Sequence, residues 1–456
     1  MKNVTIKLAE GISQLKYEHI PAHTLERVKC CILDSLGCAL AGSSTEWSRI
    51  INHYVQSQEG VREASLWITG FLGPAASVVL GNGAMIHSYD FDDYHRNKIH
   101  PGAVVIPAAF AIGEKERIDG KMLITAIVAG YETMIHISSG VNPGASRMRG
   151  FHLTGTCGTF AAAAAAGKIW GFNADAMASA FGMAGTQSAG LWAFTADGSL
   201  SKRFHPGRSA QSGIMAASLA RNGFRGPTMI LEAPDGGFFK ATSYDFDFSK
   251  VLQGLGEKFD TEDVVIKPYP ACASLHSSVD AVLLLKKQKD INASRIKEIN
   301  VYNSELVNVQ CGFDYQATGV LEAQMSMKYC MARTAMDNVL SLEQFSQDKI
   351  TDPKALDLAK RVHFVLDEGI NKVYPLEWPS IVEIVMVDGA KYKARVDVPR
   401  GSGERPLTWP EVQDKYRALA LPVLKDKKAE RVIEIIDTLE DASDLEELRQ
   451  LMSTSA

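Results

Sequence analysis

From residue 3 to about residue 265, apolar positions recur at the three- and four-residue spacing of helices, one run following another. Pro21 opens one such run and Gly42 stands just past its end, the arrangement expected at helix starts and stops. Six consecutive alanines, 161–166, and the Ala/Gly-rich stretch 176–190 suit buried helices whose small side chains let backbones approach closely. The pattern changes after Pro268-Tyr269-Pro270. A helix is expected over 272–289, and Ile299-Asn300-Val301 alternates as a strand. The run 380–387 then turns at Asp388-Gly389 into 391–398, the signature of a hairpin. Between these, 323–337 reads as a helix and Asp352-Pro353 opens another. Thr408-Trp409-Pro410-Glu411 forms a capping box for a helix, and helical spacing resumes to about residue 451. The expected fold is therefore mainly α: a large, discontinuous all-helical domain from 1–266 and 400–456, with a smaller α+β domain, 267–399, inserted.

A chain of 456 residues exceeds what one hydrophobic core usually serves, which agrees with two domains. Its 46% hydrophobic and 22% charged residues describe an ordinary globular protein. A formal net charge of -5 argues against a nucleic-acid partner, which calls for a basic stripe. The first seven residues lack the apolar core of a signal peptide. The most apolar later stretch, 122–137, is interrupted by Tyr131, Glu132 and His136, so a cytoplasmic chain without a membrane span is expected. Seven cysteines without a CxxC pair fit a reducing compartment, and neither a disulfide framework, a zinc ribbon nor an iron–sulfur cluster. Cys30, Cys31 and Cys38 read as small core residues.

The densest chemistry lies in 81–107, GNGAMIHSYDFDDYHRNKIHPGAVVIP, with three carboxylates, three histidines and two cations between apolar flanks. Read as a helix continuing from Pro74, it puts Asp90, Asp93 and Tyr94 on one face with His87 one turn earlier. A solvated helix end would explain a lone acidic pair, but these flanks read as core, and charges entering a core need partners.

Four further stretches carry polar groups. GFHLTGTCG, 150–158, runs into the alanine helix and fits both an anion site beside His152 and a histidine that caps a helix. The Gly-bounded run 197–208, DGSLSKRFHPGR, reads as a loop and gathers Lys202, Arg203, His205 and Arg208, a basic cluster suited to an anionic ligand. Lys267, Cys272 and His276 stand at the domain boundary, where sites often form. Tyr329 lies inside an apolar helix, as a core tyrosine or as a phenol with a partner to find. No GxxxxGK[ST], GxSxG, GxGxxG or HExxH motif occurs. Lysines, histidines, an acid or two and a tyrosine suit proton chemistry on a small polycarboxylate, in which fixed cations stabilise enolate-like charge and imidazoles move the proton.

These motifs resemble the 2-methylcitrate dehydratase (MmgE/PrpD) family, which also includes cis-aconitate decarboxylase and iminodisuccinate epimerase. The resemblance covers nearly the whole chain and rests on five ordered motifs: NGxxxHxxDFDD at 82–93, HPG at 100–102, FHLTGTCGTFAAAAAAGK at 151–168, SKRFHPGRSAQSG at 201–213, and KPYPAC at 267–272 with His276. It implies a homodimer, a helical domain with a smaller α+β lid, a site between them, and no metal or organic cofactor. By the same resemblance, site residues fall on Asp90, Tyr94, His100, His152, Lys202, Lys267, Cys272 and Tyr329. Lys202 and Lys267 would hold carboxylates, with Arg203 and His276 beside them in substrate binding; His100 and His152 would move protons. Asp90 would orient a histidine or share a proton with substrate, and Tyr329 would donate to an oxyanion. Two departures stand out. The decarboxylase branch has histidine at the position of Cys272 and threonine at that of Tyr94, and many bacterial relatives have arginine at that of Ala273. The expected activity is that of a hydro-lyase acting on a 2-methylcitrate-like hydroxy-acid. Its rivals are an epimerase, a decarboxylase, a metal enzyme built on Asp90, Asp92, Asp93 and His95, and an inactive ligand-binding relative.

Overall fold

The computed structural model describes residues 3–196, 198–374 and 377–453. The chain separates into two compact units, Met1–Ile266 with Thr408–Ala456, and Lys267–Leu407. Helices dominate, so the fold is mainly α.

At the centre of the first unit lies the helix Leu153–Ile169, whose alanines 161–166 are completely buried. Around it pack Gly102–Glu116, Gly120–Gly140, Ala174–Gly185 and Ser201–Arg221. Methyl side chains and glycines allow this crowding because they keep the backbones close without leaving voids. Gly120–Gly140 is long and apolar enough to cross a membrane, and 89% of its apolar window is buried inside the fold. Glu132, one of the polar residues that interrupt it, accepts hydrogen bonds from Thr261 N (2.8 Å) and Oγ1 (2.6 Å).

The helix Ala75–Ile86 matters most for the chemistry, because it delivers the histidine- and aspartate-rich segment. It is gripped on two sides. Gly42 is the last residue of the helix Ala22–Gly42, inside it and not past its end, and a Cβ there would lie 2.0 Å from the Met85 carbonyl oxygen. Gly207, on Ser201–Arg221, would place a Cβ 2.2 Å from the Leu80 carbonyl oxygen. Both glycines serve close backbone approach. A third tie comes from the helix Trp409–Ala420, where Lys415 Nζ lies 2.5 Å from Asp34 Oδ1 and donates to the Phe91 carbonyl at 2.7 Å. Thr408 and Glu411 form the expected capping box on this helix.

Two expectations for the first unit require correction. It is not purely helical: β1 (Ala64–Leu66) and β2 (Phe71–Gly73) pair antiparallel across a turn in which Ile68 and Gly70 both adopt positive φ. Two three-residue strands are too short to register as an alternating pattern. The basic run read as a loop is largely helix, since Ser201–Arg221 continues through Pro206, giving up the bond that residue 206 would have made to residue 202. Asp197, which opens that run, lies outside the described residues.

In the second unit a four-stranded sheet has the order β4 (Val362–Leu366), β3 (Ile296–Asn303), β5 (Ser380–Met386), β6 (Lys391–Val396). The pair β3/β4 is parallel and the other pairs are antiparallel. The hairpin turns through Asp388-Gly389, where Gly389 takes φ +89°. Ile299, Val301, Val382 and Ile384 carry the buried face, against which the helix His276–Gln288 packs. The helix expected over 323–337 is two, Val320–Met325 and Met327–Asp337, because Ser326 leaves the helical conformation and its side chain caps the second through Tyr329 N (3.1 Å).

Gly207→Ala tests the helix grip. The added methyl meets backbone, which cannot swing aside, so we expect a loss of about 1–3 kcal/mol in urea denaturation, accompanied by displacement of His87. An unchanged midpoint would contradict the close approach.

Candidate functional site

The segment 81–107 is a helix, a turn-rich connection and a second helix. Ala75–Ile86 ends at Ile86, and a single 3-10 turn, His87–Tyr89, follows. Asp90 then takes the left-handed conformation (φ 51°), which breaks the helix. Asp90, Asp93 and Tyr94 therefore do not share a helical face. Tyr94 is pinned instead by paired backbone bonds with Val265, 2.9 and 2.8 Å, and the helix Gly102–Glu116 begins directly after His100-Pro101.

This path folds the charged residues inward. Asp92 is fully buried between two imidazoles: His87 Nδ1 lies 2.9 Å from Oδ1, and His100 Nδ1 lies 3.3 Å from Oδ2. Burial alone would raise its pKa, but the two histidines win and hold the carboxyl far below the usual carboxylate range. His100 Nδ1 also lies 3.0 Å from the Asp93 carbonyl oxygen, and His100 N donates to Thr154 Oγ1 at 3.2 Å. On its other side His100 Nε2 faces Asp90 Oδ1 at 3.5 Å, and Asp90 Oδ2 holds Lys202 Nζ at 2.9 Å. Asp90 thus joins a histidine from one segment to a lysine more than a hundred residues later.

His152 precedes the helix Leu153–Ile169, but its side chain does not cap it. Instead Nδ1 lies 2.9 Å from His205 Nδ1, and the ring is packed edge-on by Trp192 and Phe194. The His152 ring is inclined by 28° to that of His87 with centroids 6.4 Å apart, and His87 in turn meets His100 at 4.5 Å. Three of these imidazoles are neutral at pH 7. Burial pushes His87 down to about 4 against the pull of Asp92. Burial, and then Lys202, lowers His205 to about 4. Burial and the neighbouring His205 and Lys202 push His152 far below its ordinary value.

Of the residues singled out from sequence, the first unit thus gathers Asp90, His100, His152 and Lys202, with the Tyr94 ring 6.4 Å from that of His100. Arg203 is engaged in the fold: its Nε donates to the Ser88 carbonyl at 2.8 Å and its guanidinium lies over the Trp47 ring. Lys267, Cys272, His276 and Tyr329 belong to the second unit. Lys267 is buried and Cys272 half-buried, while His276 Nε2 lies 3.3 Å from the Ala271 carbonyl. The phenol of Tyr329 donates to the Gln344 carbonyl inside that unit's core, so the hydroxyl assigned to an oxyanion already has an acceptor. From sequence, Asp92 enters only as a metal ligand of a rival reading, His205 only as a member of the basic cluster, and His87 only through its place on a face. Their signals were the second aspartate of DFDD and the histidine in the basic run, and neither pattern discloses which partner it meets.

One ligand atom each from His87, Asp90, Asp92 and His100 falls within 4.8 Å of the others, so these four could hold a divalent cation, with Lys202 competing for Asp90. The set proposed from sequence is corrected at two members. Asp93 accepts from Gly102 N (2.8 Å) and Tyr131 OH (2.6 Å), and His95 Nδ1 faces Asn97 N at 3.3 Å.

Asp93 generates a pH prediction. Burial outweighs the Tyr131 and Gly102 hydrogen bonds and raises its carboxyl to about 7 from an ordinary 3.8. A group raised in this way contributes stability that is complete below the unfolded value and is lost as pH rises through the folded one. Asp93→Asn stays neutral throughout, so between about pH 4 and pH 8 its urea midpoint should improve relative to the wild type's. A constant difference across that window would exclude a raised Asp93.

The MmgE/PrpD N-terminal domain model matches residues 6–250, and the MmgE/PrpD C-terminal domain model matches residues 269–441. The chain is 29% identical to cis-aconitate decarboxylase of Aspergillus terreus over 99% of this chain and 96% of that protein. It is 28% identical to the human cis-aconitate decarboxylase, covering 99% and 95%. It is also 28% identical to the cis-aconitate decarboxylase-like protein oryM of Aspergillus oryzae, covering 99% and 97%. Decarboxylases are lyases, and lyase chemistry is the class in which this enzyme falls. With both domain models matched in order across nearly its whole length, the chain belongs to the MmgE/PrpD family.

Proposed function

We propose that this enzyme acts on a small polycarboxylate and that the bond it breaks joins carbon to a carboxylate, as in the decarboxylation of a cis-aconitate-like acid. The observation that supports this most directly is the convergence of Asp90, His100, His152 and Lys202 in the first unit, in a chain similar from end to end to cis-aconitate decarboxylases.

When the carbon–carboxylate bond breaks, carbon dioxide leaves and the electron pair moves through the neighbouring double bond. The charge accumulates on a carbon that must then take a proton. Lys202 supplies positive charge for a remaining carboxylate, and Asp90 and His100 hold it in register. Neutral imidazoles suit the proton step, because a ring neutral at rest can give a proton from one nitrogen and accept one at the other.

A second reading, hydro-lyase action on a 2-methylcitrate-like hydroxy-acid, is favoured by Cys272 and Tyr94, which stand where the decarboxylase branch has histidine and threonine. It uses the same residues with the proton flow reversed: carbon loses a proton as hydroxide departs.

Incubation with cis-aconitate and, separately, 2-methylcitrate in deuterium oxide, followed by NMR, distinguishes these readings. Carbon dioxide with deuterium in the product is the expected result. Alkene formation from the hydroxy-acid alone would transfer the assignment to the hydro-lyase, deuterium at an intact stereocentre would indicate an epimerase, and no turnover would leave a ligand-binding relative. In whichever reaction proceeds, Lys202→Ala and His152→Gln should each lower kcat/KM by roughly 10²–10⁴-fold.

A further inference from the structure

We propose that His205 is the proton relay for His152: the two imidazoles share one hydrogen between their Nδ1 atoms, and the pair passes a proton between the buried site and solvent without either ring resting as a cation. The proposal rests on His152 acting at the substrate, as in the function proposed above.

The geometry carries the argument. With Nδ1 facing Nδ1 at 2.9 Å, one nitrogen must donate and the other must be bare, so the two rings hold opposite tautomers. When His152 carries Nδ1–H, its Nε2 is bare and is a base, and His205 carries Nε2–H. When the shared hydrogen sits on His205, His152 carries Nε2–H and is an acid. The conversion balances. A proton taken from carbon binds His152 Nε2, the shared proton crosses to His205 Nδ1, and His205 Nε2 gives its proton to water. Decarboxylation runs the same chain inward.

The surroundings suit this division of labour. His152 is 1% exposed, whereas His205 is only half-buried, so the outer ring can reach water and the inner one cannot. Trp192 and Phe194 close the sides of His152, and Phe194 also meets the His205 ring at 6.0 Å. The charged and titratable groups around the pair are Lys202 on the helix of His205, His87 and His100 from the 81–107 segment, and Arg147, whose guanidinium lies over Trp192. Lys202 opposes an imidazolium on either ring. A relay that keeps both rings neutral avoids that cost.

Two measurements on the full-length chain, selectively labelled with ¹⁵N-histidine, test the relay. Without substrate, NMR should show scalar coupling between the two Nδ1 nitrogens through the shared hydrogen. Solvent exchange of the His152 imidazole proton should slow roughly tenfold or more in His205→Asn, which can hydrogen-bond but cannot hand a proton on. With substrate, His205→Asn and His205→Ala should lower kcat by roughly 10²-fold at unchanged KM, with added imidazole restoring His205→Ala. Absent coupling, unslowed exchange, wild-type kcat in His205→Asn, or a loss that imidazole does not restore would each overturn the relay. The coupling and exchange need no turnover, so they judge it even if no polycarboxylate reacts and the proposed function fails.

Discussion

A carboxylate without solvent contact organises the first unit's chemistry. Burying an ion costs several kcal/mol unless well-placed partners compensate, and Asp92 meets this requirement with two imidazoles, His87 Nδ1 reaching both of its oxygens and His100 Nδ1 one of them. The pairing is selective as well as stabilising. It calls for N–H at His87 Nδ1, leaves His87 Nε2 bare, and turns His100 so that Nε2 faces Asp90. The orientation of the candidate proton-transfer ring is thus set by an acid that itself has no access to solvent.

That arrangement depends on backbone placement. Ala75–Ile86 must end where His87 can reach Asp92, and the carbonyls of Met85 and Leu80 pressed against Gly42 and Gly207 determine where it ends. Its path beyond is bent by the left-handed Asp90, a strained conformation for a residue other than glycine, maintained by the ion pair to Lys202 and the approach of His100. Lys415, anchored on Asp34, holds the Phe91 carbonyl from the other side. The grips of Gly42 and Gly207, the Asp90–Lys202 pair and the Lys415 contact each join segments far apart in the chain, so the site forms only with the whole unit.

The electrostatics divide the site into two kinds of group. Asp90, Asp92 and Lys202 supply fixed charge, while burial keeps His87, His152 and His205 neutral. Reactions that build negative charge on carbon use both kinds, a cation for the carboxylates and a neutral ring for the proton. The same division of fixed charge and neutral rings serves decarboxylation and dehydration alike.

Much of this was legible in the sequence. Helical spacing, the Thr408–Glu411 capping box and the Asp388-Gly389 turn are local signals, and local hydrogen bonding and backbone preference determine them. The motifs at 82–93, 100–102, 151–168 and 201–213 carry the family, and their residue types already point to acid chemistry with proton transfer. Other features were decided by tertiary contacts. The helix stops at Ile86, the run from Ser201 is helical despite Pro206, and the β1/β2 ribbon exists because neighbouring elements supply what local propensity does not. Likewise, spacing along the chain cannot show that His205 meets His152 or that His100 turns toward Asp90. Those pairings arise when helices close on one another, and a one-dimensional pattern holds no record of which side chains then share a hydrogen.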